Sequence, residues 1–151
     1  MKVDKTFNRK STIGSVQEIG LPHGWFAISH LLVPKMTERR RLHGKWCKLT
    51  TNKGTIYRVL RFSPHLKSTS EDAADIVLDW VGWINLNGQD EKINTPLQIT
   101  IEESRWFEIP KQALGHPEPS YRLASLIALI SLCLGLLSIA LGVLSVWLAI
   151  R

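Results

Sequence analysis

The chain has 151 residues, a formal net charge of +6 and two cysteines, and 44% of its residues are hydrophobic. An uncharged run of 28 residues ends at Ile150, which leaves about 120 residues, enough for one small domain with a modest core. Cys47 and Cys133 do not make a disulfide framework, and the polar N-terminal sequence lacks the apolar segment of a signal peptide. We therefore expect one cytoplasmic domain with a membrane anchor.

The positive charge is concentrated in the first half of the chain. Residues 1–67 hold fourteen Lys and Arg against three acidic residues, whereas residues 68–121 hold three against ten. The two halves either attract each other within one fold or present opposite charges to different partners. For a domain tethered beside a bilayer, part of the basic excess is also expected to lie against anionic lipid headgroups.

The first half predicts an arm that is followed by a strand and a short helix. Residues 1–14 are polar and aperiodic, so we predict a flexible basic arm there, with the folded domain spanning residues 15–110. The apolar run over residues 25–33 predicts a buried strand. Pro34 then opens a short helix over residues 35–42.

The clearest hairpin in the sequence joins residues 45–51 to residues 55–62. Its turn spans residues 52–54, in which we expect Gly54 to adopt a positive φ. Side chains alternate along the second strand, so Arg58 falls on the same face as apolar groups. One face of this strand therefore has to hold an arginine.

The second half predicts further strands and then a linker. We predict strands over residues 74–79, 97–102 and 105–109, a helix or turn over 80–86, and polar loops over 63–72 and 89–96. Glycine and proline then become frequent, which predicts a short, stiff linker over residues 111–121. The membrane helix is predicted over residues 122–151.

The two halves of the sequence follow the same order: each has a strand, then a helix or turn, then a glycine, and then a second strand. The phrases HLLVPKMTERRRLHGKWCKLTT and IVLDWVGWINLNG carry this order. Residues 25–102 thereby resemble the double-psi β-barrel group, in which two interlocked strand–helix–strand motifs close a six-stranded barrel. The acidic residue that often follows the glycine in that group is Lys45 in one half and Gln89 in the other. The resemblance implies a mainly β fold with a small barrel, while other barrels or a small sandwich fit the strand count as well.

The apolar run over residues 123–150 is long enough to cross a bilayer as one helix. About 20 apolar residues span the hydrocarbon core, and a helix satisfies its own backbone groups there. A buried core helix is excluded because the remaining chain is too small to surround it. The excess of Lys and Arg before the helix predicts a single-pass, tail-anchored protein of the bacterial inner membrane, with its domain in the cytoplasm and membrane lipid as a partner.

Small side chains recur along one face of this helix with heptad spacing. Such a face lets helices approach closely and supercoil, which predicts a homo-oligomer. The alternative is that Ala, Ser and Gly are simply common in membrane helices. The candidate residues for self-association are Ala128, Ser131, Gly135, Ser138, Gly142 and Ser145.

Neither a catalytic nor a metal-binding pattern emerges from the sequence. The five histidines are scattered without the spacing of a zinc site, and P-loop, nucleophile-elbow and dinucleotide motifs are missing. Asp75 and Asp79 lie four residues apart on a predicted strand, which is typical either of an acid/base pair or of a solvated face. We expect a protein that is not an enzyme and that binds no cofactor.

A basic cluster is the best candidate for a binding site. Arginine presents a planar fork that suits phosphate, so the cluster predicts binding of an anionic nucleotide, a nucleic acid or anionic lipid. The alternative is a solvated face close to the membrane. The candidate residues are Arg39, Arg40, Arg41, Lys45, Arg58 and Arg61.

These observations lead to two functional hypotheses. The first is a tail-anchored membrane protein whose cytoplasmic β domain binds or regulates a protein partner at the membrane surface, with self-association through the helix. The second is a ligand-gated membrane effector, in which the β domain senses a ligand and the helices form a pore or disrupt the bilayer, as in bacterial defence. An anchored enzyme would need a pocket of convergent polar groups that the sequence does not reveal.

Overall fold

The structure, a computed structural model, describes residues 2–10, 21–66, 68, 73–88 and 95–150. Six strands and four α-helices follow one another along these residues. The strands are β1 (Lys2–Lys10), β2 (Trp25–Ser29), β3 (Trp46–Thr50), β4 (Thr55–Ser63), β5 (Ala73–Leu78) and β6 (Leu97–Glu103). The helices are α1 (Met36–Leu42), α2 (Trp80–Leu86), α3 (Ile109–Leu114) and α4 (Pro119–Ile150), and 3-10 helices lie at His30–Leu32 and Trp106–Glu108.

The six strands close into one barrel in the order β1-β5-β2-β4-β3-β6. Two neighbouring pairs, β1 with β5 and β2 with β4, are parallel, and the other four pairs are antiparallel. The ladder between β1 and β6 runs from Lys2 opposite Glu102 to Phe7 opposite Leu97. Closure leaves no sheet edge exposed, which removes the usual site of strand-to-strand aggregation.

The strand order stays the same when the two halves of the barrel are exchanged. Replacing β1, β2 and β3 by β4, β5 and β6, and the reverse, preserves every neighbour and both parallel pairs. In each half a helix joins the second strand to the third: α1 joins β2 to β3, and α2 joins β5 to β6. The six-stranded barrel built from two strand–helix–strand units, as expected from the sequence, is therefore confirmed.

Both halves of the barrel contribute to its main apolar core, and a smaller cluster of Ala27, Leu66 and Val77 lies apart from it. Period-two alternation directs one face of each strand inward, and Trp83 of α2 closes the core from the side of the second helix. The largest fully buried apolar side chains are Phe7, Phe26, Ile28, Leu42, Leu49, Leu60, Ile76, Trp83, Leu86, Ile99 and Ile101.

The predicted N-terminal arm is wrong over residues 2–10, because Lys2–Lys10 forms β1. Phe7 is fully buried in the core, and Val3 packs against it. Arg9 donates from Nε to the carbonyl oxygen of Leu78 at 3.3 Å. The strand looks polar because most of its side chains face solvent, and its pairing with β5 and β6 holds it in place. The predicted start of the domain at residue 15 lies outside the described residues, and the barrel itself begins with β1.

The segment between the barrel and α4 also differs from the prediction. Residues 105–109, predicted as a strand, contain the 3-10 helix Trp106–Glu108, and the predicted linker over residues 111–121 contains most of α3 and the first turn of α4. The carboxylate of Glu108 accepts from the N–H of Arg105 at 2.9 Å. This local hydrogen bond closes the 3-10 turn and explains why the apolar pair at its centre does not continue the sheet.

The predicted hairpin is confirmed, since β3 and β4 pair from Trp46 opposite Val59 to Thr50 opposite Thr55. The expected positive φ at Gly54 is wrong, because the positive-φ glycines are Gly24, Gly44 and Gly88 among the described residues. A Cβ at Gly54 would instead collide with the backbone oxygen of Asn85 at the end of α2. Glycine is thus needed there for close approach of the turn to the opposite half of the barrel.

The last helix, α4, is long and apolar enough to cross a membrane, and none of its apolar span is buried inside the protein. Its 32 residues correspond to a length of about 48 Å at 1.5 Å per residue. Among the described residues, its main contacts are with α3. The fold is therefore a closed six-stranded barrel followed by one long apolar helix.

Candidate functional site

A groove beside α1 brings together four of the basic and imidazole side chains in the first half of the chain. It has a volume of about 460 Å³ and lies between α1, the 3-10 helix at His30 and the end of β4. The helix is short because Pro34 stands before it and Gly44, with φ of +77°, ends the connection to β3. The residues that line the groove are His30, Met36, Arg39, Arg40, His43, Phe62 and Pro64.

Two polar atoms of these lining residues are buried without a hydrogen-bond partner. They are His30 Nδ1 and Arg39 Nε, and neither finds a partner in the part of the chain that the structure describes. A buried donor without an acceptor costs about 1–3 kcal/mol, and more when it is charged. Among the described residues that line the groove, none is acidic. Arg39 Nε can only donate, whereas His30 Nδ1 donates or accepts according to its tautomer. A ligand that brings acceptor atoms, above all an anion, would therefore relieve this cost at Arg39.

The remaining surface candidates lie elsewhere. Arg41 faces the opposite side of α1, where its Nη2 lies 3.6 Å from Oε2 of Glu103 and where it borders a separate groove of about 280 Å³. Lys45 is exposed between α1 and β3. Arg61 is half-buried on β4, in register with Ala27 of β2. Of the six predicted candidates, Arg39 and Arg40 are the two that line the same groove.

Arg58, the sixth candidate, is not available to a ligand, because it is 2% exposed. Its Nε donates to Asp79 Oδ1 at 2.9 Å and its Nη2 donates to Oδ2 at 3.2 Å. This two-point ion pair explains how the barrel holds an arginine on a strand face that also carries Ile56 and Leu60. The prediction of an arginine among apolar groups is confirmed, whereas its assignment to a phosphate site is wrong.

Asp79, one member of the predicted Asp75 and Asp79 pair, has a structural role at the start of α2. Besides the arginine, Oδ2 accepts from the N–H of Gly82 at 2.8 Å, so that Asp79 caps the N-terminus of α2. Partial burial raises the pKa of this carboxyl, but the hydrogen bonds and charge of Arg58 and the N–H of Gly82 outweigh that effect. The net result is a lowered pKa and a carboxylate that stays ionised.

A second contact region joins the barrel to α4 at His116. The imidazole is 8% exposed, and its Nδ1 accepts from the N–H of Glu118 at 3.2 Å. It lies against Gly24, where a Cβ would be 2.5 Å from Nε2, and against the rings of Trp46 and Tyr121 at 6.0 Å and 4.4 Å between centroids. Burial, and then the positive charge of Arg58, lowers the pKa of His116. The imidazole is therefore held neutral at this junction.

The predicted self-association residues of α4 are exposed in the single chain. Beyond the neighbouring residues and backbone of their own helix, no described atom lies within 4 Å of the position that a Cβ would take at Gly135 or Gly142. The hydroxyls of Ser131 and Ser138 donate to the carbonyl oxygens of Ile127 and Leu134 in their own helix, each at 2.9 Å. These two hydroxyls thus already have hydrogen-bond acceptors. The face would help a second helix to approach through its small side chains rather than through these two donors.

Sequence reasoning did not identify His30 and His43 as groove residues, nor His116 as the residue at the junction. Scattered histidines carry no spacing signal of their own. The side chain of His30 comes from the 3-10 helix after β2, and that of Arg39 comes from α1. The two side chains meet only when these helices fold back after β2. No local pattern in the sequence reports such a meeting.

Comparison with known proteins gives little similarity. No protein-family model and no curated protein matches this sequence. Two solved structures of Clavibacter michiganensis expansin, one of the apo protein and one of a mutant in complex with cellohexaose, are similar to this chain at 14% and 13% identity, with TM-scores of 0.44 and 0.43. The similar region covers 70% of this chain and 52% and 51% of theirs, so it spans about half the length of those chains.

Proposed function

We propose that this protein is a membrane-anchored sensor domain that binds a small anionic ligand in the groove beside α1. The observation that carries this proposal is the pair of buried, unpartnered polar atoms, His30 Nδ1 and Arg39 Nε, among the residues that line one groove. Of the two functions predicted from the sequence, this observation favours the ligand-responsive one. Binding of a protein partner at the membrane surface is the second candidate.

The lining of the groove suggests the class of ligand. Arg39 and Arg40 supply forked donors that suit phosphate or carboxylate, while Met36, Phe62 and Pro64 supply an apolar wall. The volume of about 460 Å³ lies in the range of small-molecule sites, roughly 300–1,000 Å³. A nucleotide combines an anionic group with a flat, weakly polar ring, and it therefore fits both parts of this lining.

The anchor supports a function at the inner face of a membrane. The basic excess precedes α4, so the positive-inside rule favours a cytoplasmic barrel. The face of small side chains on α4 favours self-association of the anchors. Through this contact, ligand binding in one chain would affect the neighbouring chains. The contacts of His116 with the barrel would carry a movement of the barrel to the start of α4.

The proposal is tested by ligand-induced thermal stabilisation of the full chain in lipid nanodiscs. The probes are nucleoside mono-, di- and triphosphates, with inorganic phosphate and citrate as simple anions. We expect at least one nucleotide to raise the melting temperature, and we expect Arg39→Gln to abolish the rise. Arg41→Gln, on the opposite side of the same helix, is the matched control and should retain it.

Two outcomes would contradict the proposal. One is that no anion of this set stabilises the protein while Arg39→Gln melts at the same temperature as the parent. The other is an equal loss in Arg39→Gln and Arg41→Gln, which would indicate a general effect of charge rather than binding in the groove. A phosphate-only response would keep the anion site but exclude the nucleotide.

A further inference from the structure

The segment between the barrel and α4 carries an exposed apolar surface. Trp106 is 81% exposed, and Phe107 and Ile109 are each 56% exposed. Together with α3 and the first turns of α4 they line a groove of about 580 Å³. Large aromatic side chains that are exposed side by side on a protein of this size mark an interaction surface.

The opposite side of the same segment is fastened to the barrel by polar contacts. Glu108 accepts from the hydroxyl of Ser104 at 2.8 Å and from that of Tyr57 at 3.2 Å, and it lies 3.8 Å from Lys48 Nζ. The amide of Gln112 donates to the Ser104 hydroxyl at 2.8 Å. The segment is thus amphipathic, and these bonds fix which side is turned away from the barrel.

The length of α4 indicates what covers the apolar side. The helix is about 48 Å long, whereas the hydrocarbon core of a bilayer is about 30 Å thick and needs about 20 residues. Trp147 lies one turn before the end of the helix and suits the far interface, where tryptophan is enriched. Counting back about 20 residues from Trp147 leads to Ala128, so the turns before it stand in the near headgroup layer.

The apolar segment lies at the level of those same turns. The groove is lined on the other side by Trp106, Phe107 and α3, and on the α4 side by Tyr121, Ser125, Ala128, Leu129 and, one turn deeper, Leu132. The guanidinium of Arg105 lies over the Phe107 ring, 5.9 Å from its centroid. Arg105 and Arg122 are exposed at this level, where cations attract lipid phosphates.

We infer that the segment from Trp106 to Leu114 lies in the near interface of the bilayer, with Trp106 and Phe107 inserted among the lipid headgroups and the first acyl carbons. Lipid is therefore the occupant of this surface, and the barrel is held against the membrane at two points, α4 and this segment. The inference rests on the membrane span of α4. It is independent of the ligand proposed for the groove beside α1.

Depth-dependent quenching tests this inference on the full chain in liposomes. The parent for labelling is Cys133→Ser, whose remaining thiol, Cys47, is buried. A fluorophore that responds to polarity is attached to one new cysteine at a time, Trp106→Cys, Phe107→Cys, Leu137→Cys or Asn52→Cys. Nitroxide lipids carry the quencher either near the headgroup or near the end of the acyl chain.

We expect the labels at positions 106 and 107 to be quenched most by the shallow nitroxide, and the label at 137 by the deep one. The label at 52, in the exposed hairpin turn, should be quenched by neither. If the label at 137 is quenched but the labels at 106 and 107, like the label at 52, are not, the inference is overturned while the membrane span of α4 is retained. If 137 is not quenched, the span itself is wrong. Efficient disulfide cross-linking between two chains at position 106, without quenching, would overturn lipid as the occupant in favour of a second copy.

Discussion

Arg58 of β4 and Asp79 at the start of α2 form a two-point ion pair that joins the two halves of the barrel. The arginine is almost fully buried, and its Nη1 donates to the carbonyl oxygens of Tyr57 at 2.9 Å and of Gly115 at 3.5 Å. One side chain thus contacts its own strand, the N-cap of the second helix and the backbone of Gly115 between α3 and α4. The pair is the polar centre of the fold.

Removal of Asp79 is expected to destabilise the barrel strongly. Asp79→Ala leaves the guanidinium of Arg58 buried without its counter-charge and removes the cap of α2, for which we expect a loss of about 3 kcal/mol in the free energy of unfolding. Asp79→Asn keeps a capping oxygen and should lose less. The measurement is urea unfolding followed by near-UV circular dichroism in detergent.

The matched control for this ion pair is Arg41→Gln, which removes the exposed pair with Glu103. Exposed pairs contribute little, so we expect a change below about 1 kcal/mol. Equal losses in Asp79→Ala and Arg41→Gln would show that burial does not strengthen the Arg58 pair.

His116 is expected to make the attachment of α4 to the barrel sensitive to acid. Burial and then the charge of Arg58 lower its pKa below the ordinary value of 6.5, while Glu118 acts in the opposite direction. The unfolded chain therefore binds a proton first, and stability present above about pH 6.5 is lost as the pH falls toward the folded-state pKa. Melting temperatures between pH 7.5 and pH 5 should decline in the parent and decline less in His116→Gln. His65→Gln, which changes an exposed histidine in the turn after β4, should follow the parent, and a parallel decline in all three proteins would refute this role.

Cys47 is expected to report unfolding. Burial, and then the charge of Glu103, raises the pKa of its thiol from 9.0 to about 12, so its thiolate is about a thousandfold scarcer at pH 8 than that of an ordinary cysteine. In Cys133→Ser, iodoacetamide should leave the native protein unmodified and label it once urea passes the unfolding midpoint. Rapid labelling without denaturant would contradict the burial of this strand.

The small face of α4 is expected to hold an oligomer together. Gly135→Leu combined with Gly142→Leu fills the face that lets two helices approach, and the full-length chain should change from a defined oligomer to a monomer. Cys133→Leu combined with Ala140→Leu adds bulk off this face and serves as the control. Mass photometry in nanodiscs gives the stoichiometry. A parent that is already monomeric would show that the helix is a plain anchor.

The elements that sequence reasoning predicted correctly are those with local signals. The hairpin over β3 and β4, the strands β5 and β6, and α1 each follow from alternation or from a proline or glycine at a boundary. The strand predicted over residues 25–33 is correct only as far as Ser29, because the 3-10 helix His30–Leu32 takes the place of its second half. The long apolar helix was predicted from composition alone, because the rest of the chain is too small to surround it in a soluble core. The repeated strand–helix–strand order was also predicted correctly, because it can be recognised from residues that are consecutive in the chain.

The parts that were missed depend on contacts between distant residues. β1 shows only Val3 and Phe7 as apolar inward groups, so its strand character arises from pairing with β5 and β6. Arg58 was expected among apolar groups, but its partner Asp79 belongs to the other half of the barrel. For the same reason Gly54 was assigned to a turn conformation, when the backbone of Asn85 is what excludes a side chain there.

The closure of the barrel by β1 has a consequence for how the chain folds. Lys2 pairs with Glu102, so the first strand finds one of its two neighbours only after almost the whole domain has been made. Contacts of such long sequence separation carry a large loop-closure entropy, which slows folding. Until β1 docks, one edge of β5 and one edge of β6 remain unpaired, next to the newly synthesised apolar helix α4. We therefore expect folding to be slow and rate-limited by the first strand, with early binding by chaperones protecting the unfinished sheet.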